Sequence, residues 1–425
     1  MPTPSLLIVP ARFKTGKLYS QIPTSGAGDF TVTRNTEARR FDSAGLIASV
    51  ASGIPRLDYY TSGGVTGCPA LLVEPAATNG ILNSADTRTN WTLGGSLTSG
   101  AIDVIGVSGN NITVAASGSG IAFAAGRYTR GANGVALASG STYTISFFLK
   151  QTGTHTIAAY YAVIGGQDLS SGFNVSGSFS SGSIYNPNNA TNRIRRVERF
   201  GTDVFRCSET FTMTASATLT NFHFAPVESV TSANNSAVGT TMGFAAPQIE
   251  LGSVPTSFIP TTTGTGSRSA DVVSVSGAVS GSIGQTEGTV YAEVDIRNLA
   301  RETYLIRIDE GAAANVISLR KLDTNLIRTA ITAPTTSGTL NISSAAFTAG
   351  IVKIAFAYKS GEIALSVNGA TALTANGTFS FAASLNRITL GSNASASSEF
   401  NDRIRAVALY TTRLTNAELA TLTTP

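Results

Sequence analysis

The sequence predicts an all-β protein: β-sandwich and jelly-roll domains in series, with one short helix near the C-terminal end. Three observations predict it. Charged residues make up only 13% of the 425, against ~25% in a typical globular chain. Gly, Ser, Thr, Ala and Asn take their place, and these suit strands and tight turns better than helix surfaces. Short runs with period-two alternation recur between turn signals, as in Asp29-Phe-Thr-Val-Thr-Arg34 and Leu219-Thr-Asn-Phe-His-Phe224. The clearest helix start lies at Thr415, with Glu418 three residues on as a capping box. Hydrophobic residues at 42% are enough to fill cores, which excludes a disordered chain. The length allows two or three domains. No fixed-period repeat is present, which argues against a propeller or solenoid.

Residues 1–78 read as a first β-rich unit. Leu6-Leu-Ile-Val9 is a short buried strand, and Asp29–Arg34, Gly45–Val50 and Ala70–Glu74 are further strands. Residues 79–262 read as a jelly roll of eight to ten strands. Tyr143–Lys150 is a strand apolar on both faces, as in a sandwich, and Phe205–Phe211 and Leu219–Phe224 follow. Gln248-Ile-Glu-Leu251 is its last strand, with Glu250 expected on the surface. Gly252 and Pro255 stop that strand. Residues 261–269 are a short flexible Thr/Gly/Ser linker. Residues 270–425 read as a last sandwich, with strands at Thr289–Ile296, Ile351–Tyr358, Gly361–Val367, Arg387–Gly391 and Ile404–Tyr410, a turn at Asn368-Gly369, and the helix.

Several segments resemble known families. Gln248-x-Glu250-x-Gly252-x-x-x-Thr256-Ser-Phe-Ile-Pro-Thr261 resembles the closing strand of β-sandwich modules in bacteriophage virion proteins. Gly28–Arg40, Gly45–Ile47, Gly53–Tyr59 and Cys68–Asn79 follow an order similar to the N-terminal region of phage tail and appendage proteins. The middle unit resembles carbohydrate-binding-module-like sandwiches. Where that family often has Gly-Trp-Tyr-Arg, this chain has Asp203-Val-Phe-Arg-Cys207. The pattern running from Val367-Asn-Gly369 through Ile388-x-Leu-Gly391 to Leu414–Leu419 resembles concanavalin A-like (laminin G-like) domains, a fold that hosts lectins, glycosidases and spacers.

The charge and spacing restrict the chemistry. A net charge of +4 over this length does not mark a nucleic-acid binder. The densest basic run, Arg193-Ile-Arg-Arg-Val-Glu-Arg199, is expected to be a strand with its charged side in water. The start of the chain has no basic segment before its apolar run, and no stretch of about 18 apolar residues occurs. The expectation is a protein made in a bacterial cytoplasm, without membrane insertion. Cys68 and Cys207 fall in different units and are expected as free thiols. Gly94-Gly95 and Gly165-Gly166 lack phosphate-loop context and read as turns.

For catalysis, concanavalin A-like glucanases place three carboxylates on one strand face. Glu293-Val-Asp295 supplies two, and Arg297 follows on that face. No catalytic residue is therefore expected, and this face should be solvated. His155 and His223 form no triad and no histidine metal site, and His223 should face away from Phe222 and Phe224. A calcium ion would draw on Glu399, Asp402 and Asn368, but neither metal nor cofactor is expected. Carbohydrate binding needs exposed aromatic faces; the candidates are Trp91, Tyr160, Tyr161 and Tyr185.

Together these resemblances imply a non-enzymatic virion structural protein, a tail- or head-fibre subunit. It would attach to other virion proteins through residues 1–78, assemble as a homotrimer and contact host surface glycans. The alternatives are a capsid decoration protein and a polysaccharide-degrading tailspike.

Overall fold

Strand after strand, the chain builds two stacked-sheet bodies. The computed structural model describes residues 2–59, 67–95, 97–115, 128–176, 179–232, 234, 236–299, 301–393 and 398–425, with backbone only at 128 and 130–133. Among these residues the elements are strands, one 3₁₀ turn and one α-helix, so the fold is all-β as the composition predicts.

The middle body is a sandwich of two antiparallel six-stranded sheets. One sheet runs Thr92–Leu93, Tyr128–Leu137, Ala217–Pro226, Ile157–Ile164, Gln167–Asn174, Ser180–Tyr185. The other runs Leu97–Val104, Val107–Val114, Thr241–Leu251, Thr142–Lys150, Val204–Met213, Ala190–Arg199. Alternation turns one side of each strand inward. Phe147 from the second sheet thus meets Phe222 and Phe224 from the first at ring distances of 6.3 and 6.2 Å. Gly165 and Gly166 both adopt positive φ and close the hairpin between Ile157–Ile164 and Gln167–Asn174, the geometry a two-residue turn needs.

The second body has an eight-stranded sheet facing a nine-stranded one. Its strands come from both ends of the chain, which corrects the expectation of a separate unit at 1–78. Leu6–Ile8 and Ala70–Val73 both pair with Asp402–Tyr410, in the registers Leu6↔Leu409 and Leu71↔Ile404. Phe30–Thr33 pairs with Val272–Ser276. Leu6, Phe30, Val73, Val294, Phe356 and Val407 share one core. The physical reason is edge coverage: without the N-terminal strands these ladders would end in unpaired N–H and C=O groups. The expected flexible linker is also ordered, since Gly266–Arg268 pairs with Ala77–Asn79 and Arg268 is buried.

The helix Asn416–Thr423 starts where expected. Glu418 N donates to Thr415 Oγ1 at 3.3 Å, and Thr415 N donates to Glu418 Oε2 at 2.8 Å. Thr415→Ala should lower stability by about 1 kcal/mol, read as a shift of the urea unfolding midpoint at unchanged slope.

Candidate functional site

The aromatic candidates are mostly occupied in packing. Trp91 lies in the jelly-roll core, edge-on to Phe244 at 5.4 Å, with Nε1 donating to the Asn83 carbonyl at 3.3 Å. Tyr160 is inaccessible: its ring stacks on Phe222 at 5.7 Å and its hydroxyl donates to Glu209 Oε2 at 2.7 Å. Tyr161 points to the other side, but that side is covered too. It packs with Ala225 and Val227, against Tyr185 at 5.9 Å and His223 at 5.2 Å. The Val230 backbone crosses the same face, so near that a Cβ on Gly172 would lie 2.6 Å from it. Trp91, Tyr160 and Tyr161 therefore offer no ring face to a sugar, and of the four only Tyr185 is exposed, at 36%.

The basic run is also not a solvated face. Arg193 and Arg195 turn toward the buried Glu209 carboxylate, which both contact. Arg196 and Glu198, on the opposite side of the same strand, line a cleft described below. His223 faces away from Phe222 and Phe224, yet is buried, 2.7 Å through Nδ1 from Thr129 Oγ1. His155 Nε2 lies 2.6 Å from the Ile157 carbonyl. Cys68 is exposed, Cys207 is buried, and both are free.

Glu293 and Asp295 are held by arginines. Arg405 Nε donates to Glu293 Oε1 at 2.6 Å, and Arg297 Nη2 lies 3.2 Å from Asp295 Oδ2. Asp295 is buried, so the expected solvated face is closed there. Of the calcium candidates, Asn368 Oδ1 accepts from Lys353 N and Asp402 Oδ2 accepts from the backbone N–H of Arg297 and Asn298. Among the described residues, no three His, Cys, Asp or Glu side chains group together as a metal site.

Three charged residues of the virion-type motifs, Arg34, Arg56 and Glu74, meet Arg268 and Asp271 in one buried network. Arg56, fully enclosed, donates to Glu74 Oε2 at 2.5 Å and grips Asp271 through its other terminal nitrogen. Arg34 adds a bond to Asp271 at 3.0 Å, and Arg268 Nη1 lies 3.1 Å from Glu74. Glu74 accepts from Ser257 N at 2.7 Å and Ser257 Oγ at 2.6 Å. Next to Ser257, Thr256 gives its N–H and hydroxyl to Glu250 at 2.8 and 2.6 Å, and Gln248 Oε1 receives Ile259 N. Glu250 is thus 2% exposed, a correction to its expected surface position. Its strand alternates as predicted, but segment 256–259 covers the polar side. The network joins residues 34–74, the end of the jelly roll and the start of the last sandwich.

The cleft lies beside this network, where the three segments converge, with a volume of about 320 Å³. Its apolar wall is a ring cluster: Phe200 sits 4.9 Å from Phe41 and 5.4 Å from Phe148. Arg206 lies over Phe148 at 5.4 Å, and its Nη2 donates to Thr256 O at 2.6 Å and Ser146 Oγ at 2.9 Å. On the far wall, Asp58 pairs with Arg403 and accepts Phe41 N at 2.6 Å. Asp58 and Thr256 lie within the virion-type motifs and Arg206 within Asp203–Cys207, yet nothing in those patterns marks a cleft. The one sequence signal that could have found them is the density of arginine in 193–199.

Asp402 borders the cleft. Burial pushes its carboxyl up to about 7, against the pull of the Asn298 and Arg297 N–H groups and the Arg403 charge, with Asp295 reinforcing the rise. A raised carboxyl stabilises most below its unfolded value and loses that contribution as pH rises through the folded value. Asp402→Asn retains an acceptor for both N–H groups. The stability of the native chain relative to this variant should therefore fall from about pH 4 to about pH 7 and then level off, read by thermal melts of both proteins across that range.

Residues 267–420 match the concanavalin A-like lectin/glucanases superfamily, in its Laminin_G_3 family. No curated protein matches the chain. Among solved structures, the Ruminococcus gnavus IT-sialidase CBM40 is similar at 15% identity, covering 33% of this chain and 83% of that one, with a TM-score of 0.28. Mouse laminin alpha1 chain domains LG4-5 are similar at 11% identity over 65% and 85%, with a TM-score of 0.23. Trypanosoma rangeli sialidase in complex with sialic acid is similar at 11% identity over 93% and 77%, with a TM-score of 0.29.

Proposed function

We propose that this chain is a non-enzymatic structural protein of a bacteriophage virion, a tail- or head-fibre type subunit. In this reading its concanavalin A-like and jelly-roll bodies project from the particle and contact host surface glycans. The observation that carries the reading is the buried network at Arg56, Glu74 and Asp271. Arg34, Arg56 and Glu74 fall on the residues that give the chain its likeness to phage appendage modules, and with Arg268 and Asp271, which lie just beyond those motifs, they fasten one sandwich to the next. A rigid joint between serial sandwiches suits a projecting rod that transmits load.

Residues 1–78 dock to other virion proteins through the surface they leave uncovered, where Val9 and the edge-strand residue Phe13 are exposed. The subunit assembles as a homotrimer. Gold labelling of purified particles with an antibody to the chain tests the location. Label on tails or head fibres is expected; label spread over the capsid lattice would make it a decoration protein, and its absence from particles would overturn the reading. Light scattering should give three times the 43.7 kDa chain mass, and a monomer at micromolar concentration would remove the trimer. Depolymerisation of host capsule by the pure chain would overturn the non-enzymatic assignment.

A further inference from the structure

We infer that the cleft between the two bodies is a binding site for a carboxylate-bearing saccharide one or two rings long. The inference rests on the glycan contact proposed above and gives it a place and a chemistry. The volume of about 320 Å³ lies at the lower end of small-ligand sites, which run from about 300 to 1,000 Å³.

The lining carries six guanidinium groups, Arg39, Arg40, Arg196, Arg206, Arg297 and Arg403, against four carboxyls, Asp58, Glu74, Glu198 and Asp402. Several of these charges are already matched: Arg403 to Asp58, Arg297 to Asp295, Arg39 to Glu37, and Glu74 to Arg56 and Arg268. Among the described residues, Arg40, Arg196 and Arg206 reach no carboxylate within salt-bridge distance. Arg206 is 8% exposed, and its Nε is shut away from water with no acceptor. Arg40 and Arg196 are partly exposed, and their unmatched charge in the cleft favours an incoming anion.

The remaining groups narrow the anion. Phe41 and Phe200, both partly exposed, present apolar ring surface suited to the C–H face of a pyranose, with the buried Phe148 packed behind them. Glu198 lies opposite Arg206 in the strand register and offers acceptors for hydroxyls. A dianionic phosphate would meet repulsion from this carboxylate, and an apolar ligand would leave the arginines unanswered. A ring bearing one carboxylate and several hydroxyls answers both demands.

Calorimetric titration of the full chain with digalacturonate and with galactobiose tests this. Saturable one-to-one binding of the acidic disaccharide is expected, with the neutral one much weaker. Arg196→Ala and Arg40→Ala, on partly exposed side chains, should each weaken the acidic ligand about 10- to 100-fold, the effect of a lost bond to a charged group. Lys359→Ala, on the surface, should not. Thermal melts verify that the variants fold. No binding of digalacturonate at millimolar concentration, equal affinity for galactobiose, or unchanged affinity in both arginine variants would overturn the inference. A chain that labels virions yet fails this titration sinks the site alone; one that passes yet is absent from particles sinks the virion assignment alone.

Discussion

Arg56→Met should destabilise the chain by about 3–5 kcal/mol, the cost of breaking a buried ion pair by removing one partner. The substitution keeps the volume and strips the donors. Glu74 then retains Arg268 and Ser257, and Asp271 retains Arg34, but both lose their shared central cation. The Ser257 hydroxyl and the Arg39 carbonyl also lose their bonds to Arg56. The unfolding midpoint in urea should drop. Because the network spans the joint, a single native transition should also split into two as the sandwiches uncouple. Arg56→Lys should recover only part of the loss, since an ammonium cannot fork between two carboxylates. A loss under about 1 kcal/mol would show that the network contributes orientation and not stability.

The same network sets a sign for acid behaviour. Burial pushes the Glu74 carboxyl up, but the charges of Arg268 and Arg56 and the Ser257 hydroxyl outweigh it and hold it well below the usual carboxylate range. A depressed carboxyl contributes its stability above the unfolded value, near pH 4, and loses it as pH falls further. Arg56→Met should flatten this acid limb.

Alternation in the sequence tells on which side of a strand a residue lies, not what covers that side. Thr142–Lys150 and the capped helix fall where the sequence places them because the pattern and the cap act locally. Glu250 and Ile249 do lie on opposite sides, yet both are buried while Leu251 is 65% exposed. Tyr161 does turn away from Tyr160, but a loop crosses above it. Arg196 does point away from Arg195, into the cleft and not into water. Glu250 is covered by the segment that directly follows its strand, Tyr161 and Arg196 by segments far away in the chain, and residue spacing carries no record of either kind of cover. The same holds for the N-terminal strands: their edge partner is hundreds of residues distant, as in Leu6 with Leu409.

Asn79→Ala carries the second large effect. Its side chain, fully buried, accepts from Ile81 N at 3.0 Å and Ile249 N at 3.1 Å through Oδ1. Through Nδ2 it reaches the carbonyls of Ile259 at 2.9 Å and Pro247 at 3.1 Å, and Ser84 Oγ at 3.1 Å. One amide therefore ties the entry of the jelly roll to its last strand and to the segment leaving it, across 180 residues in the case of Ile259. Alanine leaves two backbone N–H groups stranded where no side chain replaces the acceptor. At about 1–3 kcal/mol for each such group, the loss should be about 2–6 kcal/mol. The neighbouring Thr78 is exposed and its hydroxyl meets Ser267 at the surface, so Thr78→Ala should stay within about 0.5 kcal/mol. Equal midpoints for the two variants would mean that water replaces the lost amide, and the tie at Asn79 would then be a consequence of the joint and not its cause.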